Sequence, residues 1–322
     1  MTTMSAAPPL FLLPLADRSG ASAGLLLACA EGDAGDWPLD ALQALAAGGP
    51  CFYRLPCAAA PALQQAGWQA LPAGAVARLD DGLDRDLPPA IAWLEGDWYL
   101  APPPKPIGQQ AASRALALRL VQLVNADADN HEIEAVLRQD PTLSYHLLRL
   151  VNSLGVGGGR RVSSFSQAIL ILGRQQLRRW LNLMLFASRA DDPRASMLLS
   201  RAALRAHAME LLARCAGLNR TDQDQAFMAG MFSLLGALFG LALDELLQPL
   251  VISDAVRAAL LARDGELGAL LALVEQAERG DFAALSAGLA ALQIDVNDYN
   301  RCIADATLWM QGVAAGAGRS HA

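Results

Sequence analysis

A run of four prolines in five positions, Pro102-Pro103-Pro104-Lys105-Pro106, divides the 322-residue chain. Proline lacks an amide donor and fixes its backbone, so neither a helix nor an inner strand continues through such a run; it predicts an extended, semi-rigid spacer. The two sides read differently. Before it, short apolar runs alternate with turn residues: Leu10–Leu15 and Ala23–Ala30 flank Asp17-Arg18-Ser19-Gly20, which predicts a hairpin. Asp40–Ala47 and Pro61–Trp68 read as helices, Cys51–Leu55 and Ala75–Leu79 as strands. Ile91–Leu94 and Trp98–Ala101 around Glu95-Gly96-Asp97 read as a closing hairpin. After it, from Ser113 on, the apolar period is helical almost throughout.

The expected fold class is therefore α+β overall. A small α/β unit over 1–101 precedes a linker at 102–106, an all-α domain at 107–313 and a disordered tail at 314–322. Composition agrees: 53% of residues are hydrophobic and 6% aromatic, and the excess of Ala and Leu favours helix packing. Predicted helices include one starting at Asn130, one opened by Asp140-Pro141 and one over Pro193–Ala216 closed by Gly217. Asp222–Leu241, Asp254–Ala262, Glu266–Glu278, Phe282–Leu292 and Val296–Val313 follow.

Five scattered cysteines with no C-x-x-C pair argue for reduced thiols in a cytoplasmic protein. No basic segment precedes an apolar run at the N-terminus, so no signal peptide is expected. The uncharged stretch Phe227–Leu243 is short and holds three glycines, so it reads as a core helix, and no membrane insertion is expected.

Charge singles out one region. Between Arg138 and Arg189 stand eight arginines and one acid, Asp140, in a chain whose net charge is −7. Solvated helix faces account for such a run as well as a docking surface does. The functional reading takes Arg160, Arg161, Arg174, Arg178 and Arg179 as a contact surface for an acidic partner, because guanidinium groups suit bidentate carboxylate recognition. The acidic remainder and scarce aromatics argue against nucleic acid.

Within this region, DPTLSYHLLRLVNS followed by RRVSSFSQAILILGRQQLRRWLNL resembles the hallmark segment of HDOD domains, and the likeness extends over roughly 107–312. The matching positions are Asp140, Pro141, Leu148, Asn152, Ser153, Ser164, Ala168 and Gly173. The resemblance implies a helical domain related to HD phosphohydrolases but usually without their metal ligands. The His-Asp doublet of those enzymes would fall on Ser233 and Leu234, which cannot anchor a two-metal centre. PLFLLPLADRSGASAGLLL and GDWYLAPPPKP resemble the first and last parts of the EAL barrel, which hydrolyses cyclic di-GMP. Only about 100 residues stand where a barrel needs about 250. The glutamate of the EAL motif falls on Gly24.

His207 could echo an upstream HD ligand, but it reads as a half-exposed helix histidine; His131, His146 and His321 are isolated, and the glycines of 155–159 lack a P-loop context. No catalytic residue, metal ligand or cofactor is expected. The sequence reading is a non-enzymatic bacterial signalling or scaffold protein that binds other signalling proteins through its HDOD domain. Cyclic di-GMP, motility or stress regulation is what the resemblance implies. The alternatives are a residual HD-type metal phosphohydrolase and a cyclic dinucleotide sensor that does not cleave its ligand.

Overall fold

The structure is a computed structural model that describes residues 7–32, 34–83, 86–103, 116, 119–120, 122–137, 179, 182, 192–248, 250 and 252–318. Its N-terminal part comprises β1 (Leu10–Ala16), β2 (Ser22–Cys29), α1 (Leu39–Gly48), β3 (Cys51–Tyr53), α2 (Ala60–Gln65), β4 (Gln69–Ala70), β5 (Val76–Arg78) and β6 (Trp93–Glu95). A 3-10 turn at Trp98–Leu100 follows. The helical part comprises α3 (Asn130–Leu137), α4 (Ala195–Cys215), α5 (Arg220–Phe232), α6 (Leu235–Phe239) and α7 (Leu243–Leu247), then α8 (Asp254–Ala262), α9 (Gly265–Glu278), α10 (Phe282–Ala291) and α11 (Val296–Gly318). The α+β architecture is as expected. The hallmark positions from 140 to 173, with Arg160, Arg161, Arg174 and Arg178, lie outside the described residues.

The six strands form one sheet in the order β4-β3-β2-β1-β6-β5. β1 runs antiparallel to both neighbours, β2 and β6, whereas β2, β3 and β4 are mutually parallel and β5 is parallel to β6. The predicted hairpin is present, with Leu10 opposite Cys29 and Leu15 opposite Gly24. Successive β2 side chains point to opposite faces. Leu25 and Leu27 join the main core, while Leu26 joins Leu15 and Phe52 on the other side, where the Phe52 and Trp93 rings meet at a tilt, 5.1 Å between centres. The outermost strands have two and three residues, which leaves little unpaired edge.

The closing hairpin does not form. Trp93–Glu95 pairs with β5 and β1, and Trp98 enters a 3-10 turn instead of a strand. Gly96 has φ +94, and a Cβ there would lie 2.3 Å from the Leu79 carbonyl oxygen, so the chain passes too close for any side chain. A strand would turn Trp98 and Tyr99 to opposite faces; the tight turn buries both.

The predicted helix over Asp222–Leu241 is broken. α5 ends at Phe232 and α6 starts at Leu235, with Ser233 and Leu234 between them. The Ser233 hydroxyl donates to the Gly230 carbonyl at 2.6 Å, a local bond that competes with the helix ladder. Gly240, at φ +63, ends α6. The Phe227–Leu243 stretch is thus two core helices, and no helix among the described residues is long and apolar enough to cross a membrane.

One apolar cluster runs from Ala7 through both parts to Val313. α11 is central to it. Its Asn300, fully buried, accepts from the Leu10 amide at 2.9 Å and donates to the Pro8 carbonyl at 3.1 Å. Arg194, just before α4, donates to the carbonyls of Ala101 and Ala237 and pairs with Asp192. The chain leaving the sheet at Ala101 is thereby pinned to α6 and to the start of α4.

Candidate functional site

Ser233, one of the two positions on which the resemblance sets the His-Asp doublet of HD enzymes, lies in a buried ionic seam. In α4, Arg201 and Arg205 are four residues apart, so they share a face one turn apart. Their side chains are 6% and 7% exposed. The C-terminal turn of α9 brings Glu278, equally buried, against both. Arg205 grips Glu278 with two donors, Nε to Oε1 at 3.0 Å and Nη2 to Oε2, and sends Nη1 to the Ser233 hydroxyl at 2.6 Å. Arg201 lies 3.7 Å from Glu278 and 3.7 Å from Asp97, with its guanidinium beside the Tyr99 ring. The seam thus joins the 3-10 turn after the sheet to α4, α5 and α9.

Burial pushes the Glu278 carboxyl up, but the charges of Arg201 and Arg205 more than offset this and hold it below the usual carboxylate range. Burial drives the Tyr299 phenol well above its ordinary value, and the nearby Glu278 charge adds to the effect. Chemically, the seam puts a guanidinium against the Ser233 hydroxyl, where a metal-binding doublet would put an imidazole and a carboxylate. A serine hydroxyl and a leucine supply no anionic donor for a divalent cation. Among the described residues, no group of three or more His, Cys, Asp or Glu is placed to hold a metal.

A second buried cluster lies on the other side of α4. Arg179 pairs with Glu210 at 2.9 Å and with Asp224, and its guanidinium stands 4.5 Å from the Phe227 ring centre. Glu210 also contacts His207 Nδ1 at 3.1 Å, and the His207 ring lies 4.8 Å from that of Trp309. Burial acts to raise the Glu210 carboxyl, yet its hydrogen bonds with His207 and Arg179 keep it below the ordinary value. This placement corrects one expectation. Arg179, 9% exposed, is a core residue and not part of a contact surface; His207 is a partly exposed helix histidine, with its ring packed on Trp309. The physical reason is that α4 and α5 supply two carboxylates facing Arg179, and a paired guanidinium tolerates burial.

Gly24 borders a cleft of about 290 Å³ between β2, the end of α1 and α11. Ser22, Pro50, Met310 and Gln311 line it with Gly24, and none of its lining side chains titrates. A Cβ at Gly24 would stand 3.1 Å from the Trp93 ring and 3.3 Å from the Pro50 carbonyl oxygen, so the position has little room for a glutamate.

The sequence reading missed Arg201, Arg205, Glu210, Asp224 and Glu278. The available signal was two arginines four apart within the Ala- and Leu-rich Ser200–Leu212. Charge on an otherwise apolar face calls for a buried partner.

Residues 113–257 match the model of the HDOD domain, and the chain carries that domain. It is 32% identical over 218 residues to the cyclic di-GMP phosphodiesterase CdgJ of Vibrio cholerae, covering 67% of this chain and 50% of that protein. It is 29% identical over 175 residues to the uncharacterized protein YuxH of Bacillus subtilis, covering 54% of this chain and 42% of that one. The chain therefore spans about half the length, or less, of these curated relatives. A crystal structure from Shewanella amazonensis SB2B aligns with 63% of the chain at 16% identity and a TM-score of 0.44. The expectation that the chain is not an enzyme is overturned by the first of these relatives. A protein named as a phosphodiesterase matches two thirds of this chain, so enzymes stand among its kin despite Ser233 and Leu234.

Proposed function

We propose that the chain is a regulator in cyclic di-GMP signalling, and that its HDOD domain engages an acidic protein partner. The observation that carries the reading is the 32% identity to a named cyclic di-GMP phosphodiesterase, over a stretch longer than the 113–257 family match. In this reading Arg160, Arg161, Arg174 and Arg178 form the contact surface, because the local arginine excess in an acidic chain attracts a complementary face. The ionic seam at Glu278 supports a mechanical role: it ties the HDOD helices to the sheet, so a partner seated on one bears on the other. The sheet itself is read as a shortened relative of the EAL barrel. Two successive strand-helix-strand units, β2-α1-β3 and β3-α2-β4, with parallel neighbours support this.

The test is the double charge reversal Arg174→Glu with Arg178→Glu in living bacteria. Swimming and cellular cyclic di-GMP should respond to the wild-type chain and not to the variant, while both proteins melt alike. Equal responses would defeat the surface assignment. The identity to CdgJ favours a second reading, in which the chain itself turns over cyclic di-GMP. Chromatography of cyclic di-GMP incubated with the pure chain and magnesium or manganese tests it; an unchanged nucleotide peak defeats it.

A further inference from the structure

Cys215 and Cys302 stand apart from everything assigned above. Cys215 is the last residue of α4 and is exposed; Cys302 lies in the second turn of α11 and is buried. Their sulfurs are 3.3 Å apart although 87 residues separate them. A disulfide requires about 2.05 Å, so closure needs an approach of little more than an ångström, at a helix end where the last turn can adjust.

We propose that Cys215 and Cys302 form a peroxide-responsive pair, in which Cys215 is oxidised first and Cys302 resolves it to an intramolecular disulfide. The hydrogen bond from Cys302, aided by the charge of Arg214, lowers the Cys215 thiol to about 7, and the same hydrogen bond raises Cys302. Cys215 is also the sulfur that a peroxide in solution can reach, whereas Cys302 lies buried behind it. Elsewhere the environment is opposite: burial pushes Cys51 up to about 12, and burial with the neighbouring Cys57 pushes Cys29 to about 11. A thiolate that is both exposed and stabilised is the reactive kind.

The chemistry balances with a peroxide as the two-electron oxidant. The Cys215 thiolate attacks one peroxide oxygen, an S–O bond forms as the O–O bond breaks, and the departing oxygen leaves as water once protonated. The Cys302 sulfur then attacks the Cys215 sulfenic sulfur. The S–S bond forms, the S–O bond breaks, and the leaving hydroxide takes the Cys302 proton as a second water. Two thiols and one hydrogen peroxide become one disulfide and two waters. The bond would fasten the end of α4 to α11, the helix that holds β1 through Asn300.

The test uses the full chain, treated with a slight excess of hydrogen peroxide, alkylated and mapped by mass spectrometry without reduction. The expected result is one intramolecular link joining the Cys215 and Cys302 peptides, with the other thiols alkylated. Before oxidation, Cys215 should alkylate at neutral pH at least about tenfold faster than Cys51. In Cys302→Ala, a dimedone adduct should accumulate on Cys215; should that variant fail to fold, the wild-type map still decides. Five free thiols after treatment, a link between Cys29 and Cys57, or a Cys215 sulfinate without a link would each overturn the proposal.

Discussion

Replacing Glu278 with Gln removes one negative charge from between two buried guanidinium groups while keeping the side chain's size. Arg205 would keep its bond to Ser233 and Glu275 at 3.8 Å but lose a two-point contact with a carboxylate. Arg201 would keep Asp97, which is half exposed and 3.7 Å away, and the Tyr99 ring. Breaking a buried ion pair by removing one partner costs about 3–5 kcal/mol, because the remaining charge stays desolvated. The structure places this substitution within that range, since one carboxylate serves two arginines that are each more than nine-tenths buried. In a chain of this size the loss corresponds to a fall in Tm on the order of 10 °C. Urea unfolding followed by circular dichroism measures it, with Arg78→Ala as the reference. That variant breaks the exposed Arg78–Asp80 pair, whose side chains are 63% and 53% exposed, and should leave the midpoint nearly unchanged. Equal midpoints for the two variants would refute the claim that the seam holds the sheet and helices together.

Other consequences follow from the same packing. A Cβ at Gly230 would lie 2.7 Å from Ala206 Cα and 2.8 Å from the Arg205 carbonyl oxygen, so Gly230→Ala must push α5 away from α4. Overpacking of this kind costs about 1–3 kcal/mol and should appear as a lower urea midpoint with an unchanged slope. Arg179→Met should destabilise by about 3–5 kcal/mol, since Glu210 loses a buried partner; a cost near zero would mean that Arg179 faces solvent after all. Glu278 and Glu210 are both held below the ordinary carboxylate range in the folded state. Their contribution is therefore complete above the unfolded value of about 4.3 and disappears as the pH falls through the lower folded values. Thermal melts should drop in acid below about pH 4.3, with a shallower acid drop for Glu278→Gln.

Much of the architecture was legible because it rests on local rules. The hairpin β1–β2 follows from two apolar runs around a turn, and α8 spans the predicted Asp254–Ala262, with the Ser253 hydroxyl accepting from the Val256 amide. The failures have tertiary causes. Trp98 and Tyr99 look like strand residues, yet the close pass of Gly96 by Leu79 forces a turn. The break at Ser233 depends on a hydroxyl that serves Gly230 and Arg205 at once, and Arg205 is distant in sequence. Arg179 belonged by composition to a positive surface, but two carboxylates from α4 and α5 draw it into the core. A run of arginines along a chain shows where positive charge is dense, whereas its burial depends on which acids the fold brings opposite.

The central claim is that the HDOD domain acts in cyclic di-GMP signalling through its arginine-rich segment. Mass spectrometric quantification of cellular cyclic di-GMP, with the wild-type chain and with the Arg174→Glu, Arg178→Glu variant expressed at equal levels, tests it most directly. The account predicts a shifted nucleotide level with the wild type and an unshifted one with the variant, both proteins being equally stable. Identical levels in cells with either protein and in cells with neither would contradict it.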